Sequence, residues 1–390
     1  MDFTFFIPTK IHFGAGSLGK LAEEKLPGKK ALVVISAGTS MRKFGYLDKL
    51  TAILDKANVS FVIYDKILAN PIKEHVMEGA AIAKEASCDM VVALGGGSTI
   101  DAAKSIALMC TNDGDYWDYV SGGTGKAMPV KNDPLPIIAI TTTAGTGTEA
   151  DPWTVITHNN EKIGFGLVPG TFPTISIVDP ELMVSVPKNM TAYQGFDALF
   201  HATEGYIANI ATPISDSFAL KSIELVAKWL PTAVNDGNNI DARMNVALAN
   251  TLSGMVESTS CCTSEHSIAH ALGAYHPELP HGAALTAICV EYYKHFVNAI
   301  PEKLAVMASA MGVNTNGMSN VEAANAFVDA LAKLKAECGL ANLNLADFGV
   351  VKADAKKYAQ NAMDTMGGLF GLDRCEVTVE DAAGIIERSM

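Results

Sequence analysis

The chain has 390 residues, 49% hydrophobic and 18% charged. That is enough to bury one or two sizeable cores, and it excludes a disordered or fibrous chain. A formal charge of -13, with no run of Lys and Arg, argues against a nucleic-acid partner, which needs clustered cations.

The opening "MDFTFFIPTKIHFG" lacks the basic segment and long apolar run of a secretory leader. No stretch approaches the roughly 20 apolar residues of a membrane span, so no membrane partner is expected. Seven cysteines without a C-x-x-C pair suit reduced thiols, and a cytoplasmic location is expected. "KALVVIS" (30–36) reads as a strand, and "MRKFGYLDKLTAILDKA" after it as a helix. "SFVIYD" (60–65) is the next strand, followed beyond Asn70-Pro71 by the helical "KEHVMEGAAIAKEA". "CDMVVAL" (88–94) runs into "GGGS" and a helix, and "PLPIIAI" (134–140) is a fourth strand. Near-continuous Val/Ile/Leu strands alternating with helices predict a parallel, Rossmann-like sheet covered on both faces.

"WTVITHNNEKIGFGLV" predicts a hairpin turned at Asn159-Asn160, and "TISIVD" one more strand. Beyond residue 188 the β-rich runs stop, and helical spacing of apolar residues takes over. The expectation is an α/β dinucleotide-binding domain over 1–188 and an all-α metal-binding domain over 189–390.

Two loops carry the cofactor argument. "LGGGSTIDAAK" (94–104) follows a strand and opens a helix. Its glycines admit close approach of an anion to free amides at the helix start, although a triple glycine after a strand is also a common tight turn. "TTTAGTGTE" (141–149) follows another strand and is crowded with hydroxyls. Open parallel sheets bind ligands beyond the carboxyl ends of their strands, where both loops should lie. At the end of the first strand, "ISAGTSMRKFG" offers Ser36, Gly38 and Ser40 with Arg42 and Lys43 beyond. Small polar groups plus cations suit a ribose 2′-phosphate better than a bare hydroxyl, so NADP is favoured over NAD.

Four of the nine histidines, His266, His270, His276 and His281, fall within sixteen positions. Asp197 and His201 stand four apart on a predicted helix, hence on one face, and His266 and His270 repeat that spacing. One carboxylate with several imidazoles is a mixed oxygen and nitrogen set suited to a divalent first-row metal such as iron or zinc. Cys261 and Cys262 read as buried small residues.

The order GGGS-x2-D, TTxGTGTE, D-x3-H, H-x3-H and P-H-G resembles the iron-containing (group III) alcohol dehydrogenase family over nearly the whole chain. The resemblance implies Asp197, His201, His266 and His281 as ligands of Fe2+, with Zn2+ as the other candidate, and His270 as a non-ligand histidine beside the nicotinamide, a candidate proton relay. It implies cofactor positions at Gly95, Gly96, Gly97, Ser98, Asp101, Thr142, Thr143 and Thr146, with Gly38, Ser40, Asn70, Lys162 and Leu182. The segment holding His276 departs from the family by one added residue. The implied function is hydride transfer between NADP or NAD and a small primary alcohol, a diol or its aldehyde. Rival readings are a polyol dehydrogenase, a lyase resembling dehydroquinate synthase, a metallohydrolase with purely structural glycine loops, and a non-catalytic binding protein. The resemblance further implies a homodimer or larger homo-oligomer.

Overall fold

A computed structural model describes residues 2–390. The chain divides into two compact units, Ile7–Ser185 and Val186–Met390, and the stretch ending at Phe6 groups with the second.

In the first unit, the strands are β1 (Lys10–Phe13), β2 (Lys30–Ser36), β3 (Ser60–Ile67), β4 (Met90–Gly95) and β5 (Ile137–Thr141), then the pair β6 (Trp153–His158) and β7 (Glu161–Gly166), and finally β8 (Ile175–Val178). Six of them form one sheet in the order β1-β8-β5-β4-β2-β3, every pairing parallel. Residues Ala31–Ile35 of β2 and Met90–Leu94 of β4 are 0% exposed, which is why those strands are apolar at every position rather than at alternate ones. β6 and β7 form a separate antiparallel hairpin turned at Asn159, whose φ is 53°.

Four helices belong to this unit: α1 (Ser40–Lys43), α2 (Tyr46–Lys56), α3 (Lys73–Glu85) and α4 (Gly97–Thr111). The periodicity of 41–57 predicts one continuous helix, and the structure corrects this. Gly45 takes a left-handed φ of 70° between α1 and α2, a conformation that ends one helix and starts another.

The second unit is helical: α5 (Lys188–Ile207), α6 (Pro213–Asn235), α7 (Ile240–Thr259), α8 (Ser264–Tyr275), α9 (His281–Phe296), α10 (Pro301–Ala310), α11 (Asn320–Glu337), α12 (Ala355–Phe370) and α13 (Val379–Arg388). Gly195 through Ile207 of α5 are all buried, so this helix is enclosed on every side and its polar residues need partners. α6, α7 and α9 pack against it. Close approaches are bought with glycine: a Cβ at Gly195 would stand 2.1 Å from Leu230 Cδ1, and one at Gly205 2.1 Å from Val256 Cγ1. No helix among the described residues is long and apolar enough to cross a membrane.

Candidate active site

Within the first unit, β2 has β3 on one side and β4 on the other. The chain therefore reverses direction across the sheet at β2, and the carboxyl ends of β2 and β4 bound the crevice where open α/β sheets take their ligands. Gly95 pairs in register with Thr141, so the two small-residue loops leave the sheet side by side. They touch. A Cβ on Gly96 would lie 2.9 Å from Thr143 Oγ1, and one on Gly97 2.3 Å from Thr146 Cγ2. Glycine is required here because the second loop fills the space a side chain would need.

α4 begins with Gly96 as its cap, and no side chain satisfies the first amides, which leaves donors and the positive end of the helix dipole at the mouth of the crevice. Ser98 Oγ donates to the carbonyl of Ala69. Lys162, buried, donates to Asn70 Oδ1 at 2.9 Å, which joins two of the expected cofactor positions. Asp101 is engaged inside the protein: Oδ1 accepts from Thr148 Oγ1 at 2.8 Å and Oδ2 from Val155 N at 3.0 Å. It holds the second loop and the hairpin against α4. Leu182 is buried in the apolar cluster beneath β2 and α2. Gly38 and Ser40 follow β2, and Arg42 pairs with Asp65 at 2.7 Å on the surface.

The second unit gathers the acid and the imidazoles. Asp197 and His201 project from α5, His266 and His270 from α8, and His281 is the first residue of α9. Gly282 sets α9 against α5, since a Cβ there would meet the Tyr193 carbonyl oxygen at 2.1 Å. The Nε2 atoms of His201, His266 and His281 stand 3.8, 3.6 and 3.5 Å from one atom, Asp197 Oδ1. These separations are too long for hydrogen bonds. Two ligands each ~2.1 Å from a shared cation at a tetrahedral angle stand about 3.4 Å apart, which is the spacing seen. Asp197 Oδ1 and His266 Nε2 are buried and have no hydrogen-bond partner among the described residues. Buried polar atoms are costly unless satisfied, so the donor set fits a cation.

Three acidic or sulfur-bearing neighbours escape sequence reading. Glu204 accepts a hydrogen bond at His266 Nδ1 and also takes the Thr263 amide at 2.7 Å. A carboxylate on the far nitrogen fixes the tautomer that turns Nε2 toward a metal. Its signal was present, for Asp197, His201 and Glu204 at i, i+4 and i+7 share one face of α5. Glu257 of α7 lies 2.6 Å from His201 Nε2, and Cys262 donates its thiol to Glu257 Oε1 at 3.6 Å. Neither has a local pattern that could announce it.

Burial would depress the pKa of His201 and His266, but the carboxylates around them outweigh it and raise both, Glu257 and Asp197 acting on His201, Glu204 and Asp197 on His266. That field favours positive charge among these side chains. His270, 4% exposed, stands apart from the donor set, its ring centroid 4.9 Å from that of His281 and its Nδ1 2.9 Å from Met366 Sδ. Met366 sits at a kink in α12. His276 pairs with the Tyr358 hydroxyl at 2.9 Å.

Residues 8–180 match a family model described as iron-containing alcohol dehydrogenase, and residues 191–390 match the Fe-containing alcohol dehydrogenase family, C-terminal. The chain belongs to the iron-containing alcohol dehydrogenase family. It is 36% identical to a 1,3-propanediol dehydrogenase of Citrobacter freundii, over 93% of this chain and 92% of that protein. With an NAD-dependent methanol dehydrogenase of Bacillus methanolicus it shares 33% identity over 99% of both chains. Among solved structures, an archaeal halo-thermophilic alcohol dehydrogenase from a Red Sea brine pool, bound to NZQ, superposes with a TM-score of 0.95. The two are 35% identical, and the match covers 100% of this chain and 99% of that one. The family assignment establishes an alcohol dehydrogenase with a metal and a nicotinamide cofactor.

Proposed function

We propose that the protein is a divalent-metal-dependent, NAD(P)-linked alcohol dehydrogenase and aldehyde reductase acting on small primary alcohols or diols. The observation that carries this reading is the convergence of three imidazole nitrogens on Asp197 Oδ1 at 3.5 to 3.8 Å. Residues 1–188 would hold the nucleotide and residues 189–390 the metal. Asp197, His201, His266 and His281 would hold Fe2+, with Zn2+ the alternative. A cation bound there supplies the Lewis acid that eases loss of the alcohol proton, and the nicotinamide accepts or donates the hydride.

The chain's own residues do the rest. Gly95, Gly96, Gly97 and Ser98, with the amides at the start of α4, would receive the pyrophosphate, flanked by Thr142, Thr143 and Thr146. Asn70, Lys162 and Leu182 would border the nicotinamide half, and Asp101 supports the 141–149 loop through Thr148. Gly38 and Ser40 would meet the adenosine ribose. No carboxylate stands at Ser36 to Ser40, and with Arg42 and Lys43 beyond, this favours NADP.

His270 is the proposed proton relay. A thioether accepts but does not donate, so the contact with Met366 Sδ supports a tautomer with the proton on Nδ1 and Nε2 free to accept one. Imidazole titrates close to neutrality, where such a relay works best.

The test is a panel of small aldehydes assayed with NADPH and NADH side by side, after metal removal and reconstitution. Turnover should require the metal and appear with Fe2+ or Zn2+. Tight nucleotide binding without turnover on any aldehyde would contradict the reading.

A further inference from the structure

Two side chains beyond those assigned to the cation, Glu257 and Cys262, come close to its ligands, and neither belongs to a local motif. Glu257 and Cys262 are 7% and 8% exposed. Glu257 Oε1 lies 2.6 Å from His201 Nε2, and Cys262 Sγ lies 3.6 Å from the same oxygen. Cys262, His201 and His266 each offer a donor atom, all within 4.8 Å of one another. Asp197, His266 and His281 meet the same limit as a separate group. The cluster thus contains two overlapping donor triangles with His266 in common, and His266 Nε2 is buried with no hydrogen-bond partner among the described residues.

This second triangle is held firmly. α7 approaches α5 so closely that a Cβ on Gly205 would strike Val256, the neighbour of Glu257. The connection from α7 to α8 is tied down at both ends of Cys262. Ser260 Oγ donates to the Gly205 carbonyl at 2.8 Å, and the Thr263 amide donates to Glu204 Oε2 at 2.7 Å. Cys262 is therefore presented to the imidazoles by the backbone, not merely buried near them.

We infer that the centre has a second, softer cation position, in which His201, His266 and Cys262 bind zinc-class metals through nitrogen and sulfur, with Glu257 hydrogen-bonded to His201 and Cys262 beside them. Thiolate selects zinc and cadmium over manganese or magnesium, which keep to oxygen and nitrogen. On binding, the Cys262 S–H bond breaks as the sulfur–metal bond forms, and the proton leaves to water. The position rests on the reading of the first centre as a cation site, because it shares two of the same histidines.

Cadmium is the probe. Wild-type protein loaded with one equivalent of Cd2+ should show sulfur-to-metal absorption in the ultraviolet and a cadmium NMR shift typical of one sulfur ligand, a measurement that needs no variant. Cys262→Ser should abolish the absorption and weaken Zn2+ binding roughly ten- to hundred-fold, leaving Mn2+ binding unchanged. Cys261→Ser should leave all three as they are. Glu257→Gln should weaken Zn2+ while keeping the sulfur signal. Cadmium bound with only nitrogen and oxygen signatures, or Zn2+ held equally by Cys262→Ser, overturns this inference alone. A protein that binds no divalent cation at all overturns it together with the proposed function.

Discussion

Asp197 Oδ1 is the atom that the histidine cluster of the C-terminal unit surrounds, with three imidazole nitrogens facing it at distances that suit ligands and not hydrogen bonds. His266 and His270, one helical turn apart, should respond differently to removal. His266→Ala takes away a donor that Glu204 orients, so metal content and activity should be lost together. His270→Ala should retain the metal and lower kcat about 100- to 10,000-fold, as measured by metal analysis alongside steady-state kinetics. Loss of metal from His270→Ala would show it to be a ligand. Much of this cluster was legible, since Asp197 and His201, and again His266 and His270, repeat at helical spacing, whereas Glu204 on the same face of α5 was not singled out. Glu257, Cys262 and Met366 were not legible. Each arrives from a separate helix or connection, and only tertiary packing brings it within reach.

At the scale of elements, glycines decide which backbones may approach. α9 carries His281 at its first position, and its depth against α5 depends on Gly282 meeting the Tyr193 carbonyl. Gly282→Ala should push the helix start outward, because the added methyl would meet a backbone atom that cannot rotate away. Metal affinity should fall at least tenfold with the far-ultraviolet spectrum unchanged, as read by titration with a competing chelator. Unaltered affinity would mean that His281 is not held by this contact. The strands β2, β4 and β5 were readable as apolar runs because both their faces are buried. The break at Gly45 was not, for periodicity carries across a left-handed residue that only the backbone reveals. The opening "FTFFIPTKIHFG" contributes a strand only at Lys10–Phe13, beside β8.

At the scale of the molecule, a parallel sheet with its loops at a strand-order reversal and a helical unit enclosing a polar cluster each match their part of one family over nearly the full length. The ordered motifs made that family readable, whereas the physiological alcohol is set by a pocket with no diagnostic pattern. The account stands on one cation drawing donors from α5, α8 and α9. Anomalous X-ray diffraction at the iron edge, from crystals of Fe2+-reconstituted protein, tests it most directly. The account predicts a single peak about 2.1 Å from an Asp197 oxygen and from Nε2 of His201, His266 and His281. A peak elsewhere in the chain, or none from protein shown to bind the metal in solution, would contradict it.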